Sequence, residues 1–205
     1  MKSGKVPAWT LLLCGTAALV HFVPAIGSAL IYDRAAIESG QVWRLVTGSL
    51  VHLSPRHFTY DALALFLVGM VAELRGIRNL GMLYLTAALA IGVAIFQCAP
   101  ELKLFAGLSG IVTGTVVFLC LDGLSEGDDL RWLWWGGLFS VALKILLEFS
   151  LDTSWVVASG DEAFVAVPLS HLVGAGTALM MYSSARHLRF LGQRHRLHSS
   201  EGEAC

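Results

Sequence analysis

Long uncharged apolar stretches separated by short clusters of charge dominate the chain. A helix needs about 20 apolar residues to cross about 30 Å of hydrocarbon. Six stretches meet or approach that length: Trp9 to Ile31, His57 to Leu74, Asn79 to Pro100, Leu104 to Leu121, Trp132 to Leu151 and Ala163 to Ser184. The pattern predicts an all-α membrane protein of six transmembrane helices with both termini on one side. With no internal repeat and no long hydrophilic stretch, one domain is expected over residues 1–192, followed by a polar, frayed tail over 193–205. A signal peptide is the competing reading of the first stretch, because Lys2 and Lys5 precede it and the small residues Ser28 and Ala29 follow. Its length favours a span.

Composition agrees with the pattern. Of 205 residues 56% are hydrophobic and only 14% charged, and the mean hydropathy of +0.68 lies outside the soluble globular range. A formal net charge of −1 gives no basic surface for nucleic acid. The lipid bilayer is the partner the composition demands.

The placement of charge orients the chain. Lys2 and Lys5, Arg75 and Arg78, and Arg186, Arg189, Arg194 and Arg196 fall on one side, which the positive-inside rule makes cytoplasmic. The opposite loops carry Asp33, Glu38, Glu101, Asp152, Asp161 and Glu162, with Arg34, Arg44, Arg56 and Lys103 as minority positives. The acidic link from Asp122 to Arg131 is compatible with a cytoplasmic location, because acidic residues contribute little to the rule. Cys14, Cys98, Cys120 and Cys205 show no paired or metal-type spacing, so they read as small apolar fillers or, for Cys205, as a residue without a role.

Polar side chains at bilayer depth carry the functional signal, because such groups are costly unless they face a polar cavity. Ser109 lies in Gly107-Leu108-Ser109-Gly110 within the fourth stretch, and His171 lies in the sixth. Counted from the cytoplasmic ends of their spans at 1.5 Å per residue, Ser109 sits about 20 Å up and His171 about 22 Å. Asp61 and His57 on the second span fall at about 18 and 24 Å. Gly110 and Gly114 form a small-residue face on span four, and Gly174 lies one turn from His171 on span six, which would let those two backbones approach closely. From Ser109 to Leu121 the helix is too short to cross, so the stretch before Ser109 should be irregular. Irregular backbone at that depth survives only where it is buried in protein or lines a wet cavity.

Other polar groups read more plainly. Lys144 and Glu148, four apart on span five, are expected to neutralise each other. Trp132, Trp134 and Trp135 read as an aromatic belt at the cytoplasmic interface. Trp43-Arg44 is either an interfacial anchor or part of a structured outer loop.

Taken in order, Trp43-Arg44, His52 and His57 at the head of span two, Glu73 and Arg75 at its foot, Gly107-Leu108-Ser109-Gly110, and His171 followed by Gly174 resemble the rhomboid intramembrane serine proteases. The resemblance covers nearly the whole chain, in the minimal six-helix form with a structured first outer loop. It implies a dyad of Ser109 as nucleophile and His171 as general base, without a third acidic member or a cofactor. Backbone N–H groups of the Gly107, Leu108 and Gly110 turn, with His57, would support the oxyanion. Trp43, Arg44, Glu73 and Gly174 would be structural.

Three positions depart from the family. Asp61 stands where it carries an asparagine, and an ionised carboxylate cannot donate to an oxyanion. Asp61 would then either be protonated and donate, or hold His57 in its charged donor form; the spacing of four residues favours the second. Thr113 stands in place of a tyrosine that packs on the catalytic histidine, and Gly48 where a further outer-loop histidine often lies.

The brevity and the aspartate look like the rhombosortase subgroup. That likeness implies membrane-anchored protein substrates with a C-terminal Gly-Gly motif, an apolar helix and a basic tail. It also implies a bacterial inner membrane with the active site opening to the periplasmic side. A general rhomboid protease without Gly-Gly preference, a non-catalytic client-binding relative, and a small transporter or channel using His57, Asp61 and His171 as a proton path are the alternatives.

Overall fold

In the computed structural model the described residues are 6–77, 79–127, 129–151 and 167–202. They form α1 (Ala8–Phe22), α2 (Pro24–Leu30), β1 (Tyr32–Asp33), α3 (Arg34–Glu38), α4 (Arg44–Thr47), α5 (Pro55–Arg75), α6 (Leu80–Cys98), β2 (Leu104–Phe105), α7 (Ser109–Glu126), α8 (Arg131–Leu151) and α9 (Pro168–Gly202). A 3-10 turn at Gly48–Leu50 lies between α4 and α5.

Helices α5, α6, α7 and α8 are each long and apolar enough to cross a membrane, and the pair α1 and α2 adds a fifth if counted as one broken span. The chain is therefore an all-α integral membrane protein. Its outward apolar side chains fit lipid: Leu63, Leu67 and Val71 on α5, Met82, Leu85 and Leu89 on α6, and Leu143, Leu146 and Phe149 on α8 are all exposed.

The first apolar stretch is not one straight helix, contrary to the uniform span expected for Trp9 to Ile31. The chain bends by 108° between α1 and α2. Pro24 is the cause: it lacks an N–H, and it pushes Val23 out of the helical region to φ −119°, ψ 89°. Helix α5 starts two residues before the apolar stretch at His57, because Ser54 caps it by accepting the His57 N–H at 3.2 Å and Pro55 occupies the first turn. Helix α9 runs through residue 202, past position 193 where the polar tail is expected to begin. Residues 163–166, the start of the sixth apolar stretch, lie outside the described residues.

Helix α7 is the hub, packing on α5, α6, α8 and α9. Leu65, Leu80, Leu83, Ile91, Ile95, Leu108 and Ile111 form the buried core around it. The small-residue face does what its spacing predicts. A Cβ at Gly174 would lie 2.0 Å from the Gly110 carbonyl oxygen, and one at Gly114 would lie 2.7 Å from the Gly174 oxygen. Helices α7 and α9 therefore meet backbone to backbone, which only glycine permits.

Two groups of contacts hold the segment between α2 and α5 and the far end of the bundle. Arg44 donates to the carbonyls of Ser28 at 3.1 Å and Ile31 at 2.7 Å, and to Gln41 Oε1 at 2.8 Å; Trp43 Nε1 donates to Ala29 O at 3.4 Å. Both residues thus fasten the loop to the end of α2. At the opposite end, buried Glu73 accepts from the N–H and hydroxyl of Thr10, each at 2.7 Å, and from Trp9 N–H at 3.3 Å. A carboxylate there satisfies free N–H groups at the start of α1 and faces the positive end of its dipole.

The tryptophan trio divides. Trp132 and Trp135 face outward as the belt reading requires, whereas Trp134 is buried. A Cβ at Gly123 would lie 2.4 Å from the Trp134 ring, and the Arg75 guanidinium sits 4.9 Å from its centroid. Trp134 therefore packs α8 on α7 rather than anchoring at an interface.

Candidate active site

The segment before Ser109 is irregular, as the length of span four demands. Its first part pairs as β2 with β1 in antiparallel register, Tyr32 opposite Phe105 and Asp33 opposite Leu104. Arg34 N–H also donates to Lys103 O at 2.9 Å. This two-strand clip, which apolar periodicity could not reveal, ties the segment after α2 to the approach to Ser109. Gly107 then adopts φ +131°, a conformation reserved for glycine. A Cβ there would also lie 2.7 Å from His57 Cε1 and 3.5 Å from Asp61 Oδ2, so the turn needs glycine for space as well. Leu108 is fully buried and caps α7, and Ser109 is the first residue of that helix.

That position has chemical consequences. The first backbone bond into the helix runs from Val112 N–H to Leu108 O at 3.0 Å. The N–H groups of Ser109, Gly110 and Ile111 are therefore not used by the helical ladder, and they point along the positive end of the dipole beside the serine hydroxyl.

His171, on the second turn of α9, comes to the same point. Its Nε2 lies 2.9 Å from Ser109 Oγ, and the ring is 2% exposed. The glycine contact between α7 and α9 is one helical turn away and sets this distance. The depth count from sequence, which put the two side chains in one layer, agrees with the geometry.

A third element completes the surroundings of His171. On α8, Glu148 places Oε2 2.6 Å from His171 Nδ1, while its Oε1 pairs with Lys144. Lys144 Nζ lies 2.9 Å from Nδ1 and 3.3 Å from Nε2 of the same imidazole. The i, i+4 pairing of Lys144 with Glu148 is present as the sequence predicts. What the sequence did not reveal is that the pair is shared with His171, because helical spacing identifies partners on one helix and not on a neighbour. Thr113, at the tyrosine position, donates instead to Ser109 O at 2.8 Å and leaves His171 to Glu148.

On the other side of the serine turn, Asp61 Oδ2 lies 3.1 Å from His57 Nε2 and 3.2 Å from His52 Nε2. His52 Nε2 is within hydrogen-bond geometry of that carboxylate oxygen, and His57 Nε2 lies at ion-pair distance from the same atom. The His52 and His57 rings meet edge to face at 4.9 Å. His52 belongs to the sequence motif, but the sequence does not give its contact with Asp61, since it lies in extended chain where no periodicity assigns a direction. The three ligand atoms lie within 4.8 Å of one another, a spacing a divalent ion could also use. Gly48 explains its own departure: a Cβ there would lie 2.7 Å from Tyr32 Cβ, so no histidine fits.

A half-buried hydroxyl on a helix N-terminus, a histidine nitrogen within hydrogen-bond reach and N–H groups outside the helical ladder thus come together within the helix bundle. The Rhomboid domain matches residues 39–186, most of the chain, and this protein belongs to the rhomboid family. Two curated relatives are similar to it. Rhomboid protease GluP of Bacillus subtilis is 31% identical over 95 residues, covering 46% of this chain and 18% of the relative. Rhomboid protease GlpG of Haemophilus influenzae is 29% identical over 119 residues, covering 54% of this chain and 59% of the relative. The chain thus spans less than two thirds of the length of either.

Proposed function

We propose that this protein is an intramembrane serine endopeptidase in which Ser109 attacks a substrate carbonyl and His171 serves as general base. The observation that carries the reading is the 2.9 Å contact between Ser109 Oγ and His171 Nε2 across the α7–α9 glycine contact. The hydroxyl proton passes to Nε2 as Oγ bonds to the carbonyl carbon. The carbonyl electron pair moves to oxygen, facing the N–H groups of the Gly107-Leu108-Ser109-Gly110 turn. Collapse expels the amine, which takes the proton from Nε2, and water then releases the acyl group by the same steps in reverse.

In this account Asp61 remains ionised and holds His57 in a donor form beside Gly107, which supports the oxyanion from the α5 side. We read α1 with α2 and α9 as the first and sixth spans, residues 1–192 as the rhomboid protease domain, and both termini as cytoplasmic. The site then opens toward the periplasmic side of a bacterial inner membrane.

We further propose rhombosortase-like substrates: membrane-anchored proteins with a C-terminal Gly-Gly pair, an apolar helix and a basic tail. The short domain and Asp61 support this choice. A glycine pair also unwinds a helix, and a peptide bond must leave its helix to reach Ser109. Two membrane reporters, one with Gly-Gly before its helix and one with Ala-Ala, test the specificity in proteoliposomes. Preferential cleavage of the first, lost in Ser109→Ala, is expected. Equal cleavage of both leaves a general rhomboid protease, and cleavage by neither points to a non-catalytic client-binding protein.

A further inference from the structure

We propose that Glu148 is the third member of a Ser109–His171–Glu148 triad, positioning His171 and holding its charge during the reaction, with Lys144 as its counter-ion. This rests on the serine protease reading above and deepens it.

The geometry separates a triad from a mere ion pair on α8. Each carboxylate oxygen of Glu148 has its own partner: Oε1 takes Lys144 and Oε2 takes His171 Nδ1 at 2.6 Å. Two tautomers of His171 are conceivable. If Nδ1 were bare and accepted from Lys144, the carboxylate would face a nitrogen lone pair at 2.6 Å, which is repulsive. Nδ1 therefore carries the proton and donates to Glu148, leaving Nε2 bare toward Ser109 Oγ. That is the tautomer a general base needs. Lys144 Nζ, near both ring nitrogens, then directs its hydrogens to Glu148 from off the ring plane.

Electrostatics point the same way. Glu148 and His171 are 6% and 2% exposed, so a carboxylate there is costly unless compensated. Lys144 supplies that compensation, and the side chain of Lys144 is 34% exposed, so it can do so while partly hydrated. The resting group is neutral overall: one carboxylate, one ammonium, a neutral imidazole and a hydroxyl. When Ser109 Oγ bonds to the substrate carbon, its proton moves to Nε2 and the ring becomes cationic. The Glu148 carboxylate then faces an imidazolium while the Nδ1–H remains on nitrogen. No proton passes to Glu148 and no other reactant is needed.

The test uses the full-length protein in proteoliposomes, with reporter cleavage, fluorophosphonate labelling, thermal unfolding and the 1H spectrum of protein labelled with 15N-histidine. Glu148→Gln can accept from Nδ1–H or donate to Nδ1, so it loses control of the tautomer. A fall in kcat of about 100-fold or more is expected, with KM little changed. Loss of the far-downfield His171 Nδ1–H resonance should accompany it. Glu148→Asp, which keeps the carboxylate, should recover part of the activity and the resonance. Because Glu148→Gln leaves Lys144 uncompensated, the double variant Lys144→Gln/Glu148→Gln removes any folding defect from that charge. It should show the same loss in kcat.

Wild-type kcat within about threefold in either Gln-containing variant would overturn the triad, as would an unchanged downfield resonance. Ser109→Ala distinguishes the two layers. If it abolishes labelling while Glu148→Gln does not lower kcat, the triad fails and the protease reading stands. If wild type is not labelled at all, the protease reading fails first.

Discussion

Gly174→Ala tests whether the α7–α9 glycine contact sets the catalytic distance. The new Cβ would lie 2.0 Å from the Gly110 carbonyl oxygen, a backbone atom that cannot rotate away. A carbon and a carbonyl oxygen in contact sit about 3.3 Å apart, so the two helices must separate by about 1.3 Å. Ser109 is adjacent to Gly110, and His171 lies one turn from Gly174, so most of that displacement reaches the 2.9 Å contact between Oγ and Nε2. The pair then falls outside hydrogen-bond range. A misplacement of about 1 Å costs on the order of 100-fold in rate. Gly176→Ala is the control, because a Cβ there meets nothing within 4 Å. It exchanges glycine for a better helix former, worth up to about 1 kcal/mol, without touching α7. Both variants would be purified in detergent, checked for helicity and thermal unfolding, and assayed for reporter cleavage and the rate of fluorophosphonate labelling. Gly174→Ala should slow both by about 100-fold while Gly176→Ala matches wild type, if the glycine contact sets the distance. That role of the contact is refuted if folded Gly174→Ala keeps activity within about threefold of wild type.

Other consequences follow from the same contacts. Asp61→Asn removes the carboxylate shared by His52 and His57, and should lower kcat by about tenfold or more with a changed pH profile. Undiminished cleavage across about pH 5 to 9 would remove any role for Asp61. Glu73→Gln weakens the charge-assisted bonds to Thr10 and Trp9, which should lower unfolding stability by about 1.5–3 kcal/mol without altering the labelling rate of folded protein; an unchanged melting midpoint contradicts that assignment. Gly107→Ala forces a Cβ against His57 at a backbone angle reserved for glycine, so folded protein should lose most of its activity while Gly127→Ala, strained but with nothing nearby, affects only stability. Equal activity losses in those two variants would argue against a special role for the Gly107 turn.

Much of the site was legible in the sequence because depth and helical spacing are one-dimensional properties. Ser109 and His171 could be placed in one layer by counting residues, and Gly110, Gly114 and Gly174 announced the face that brings them together. Rotation about each helix and the packing order of helices are not so readable. That is why Glu148 was matched with Lys144 on its own helix while its contact with His171 stayed hidden. Trp134 was grouped with its exposed neighbours for the same reason. Apolar composition likewise could not show the bend at Pro24, since both arms are equally apolar, and the β1–β2 pair is two residues long on each side. His52 sits in extended chain before α5, where only contact with Asp61 gives it meaning.

Peptide mass spectrometry after reaction with a fluorophosphonate probe reads which oxygen becomes the nucleophile. A single adduct on Ser109 of the folded protein is expected, lost in Ser109→Ala and formed much more slowly in His171→Ala. An adduct on another residue, or none on folded wild-type protein, would contradict the assignment of Ser109 as nucleophile.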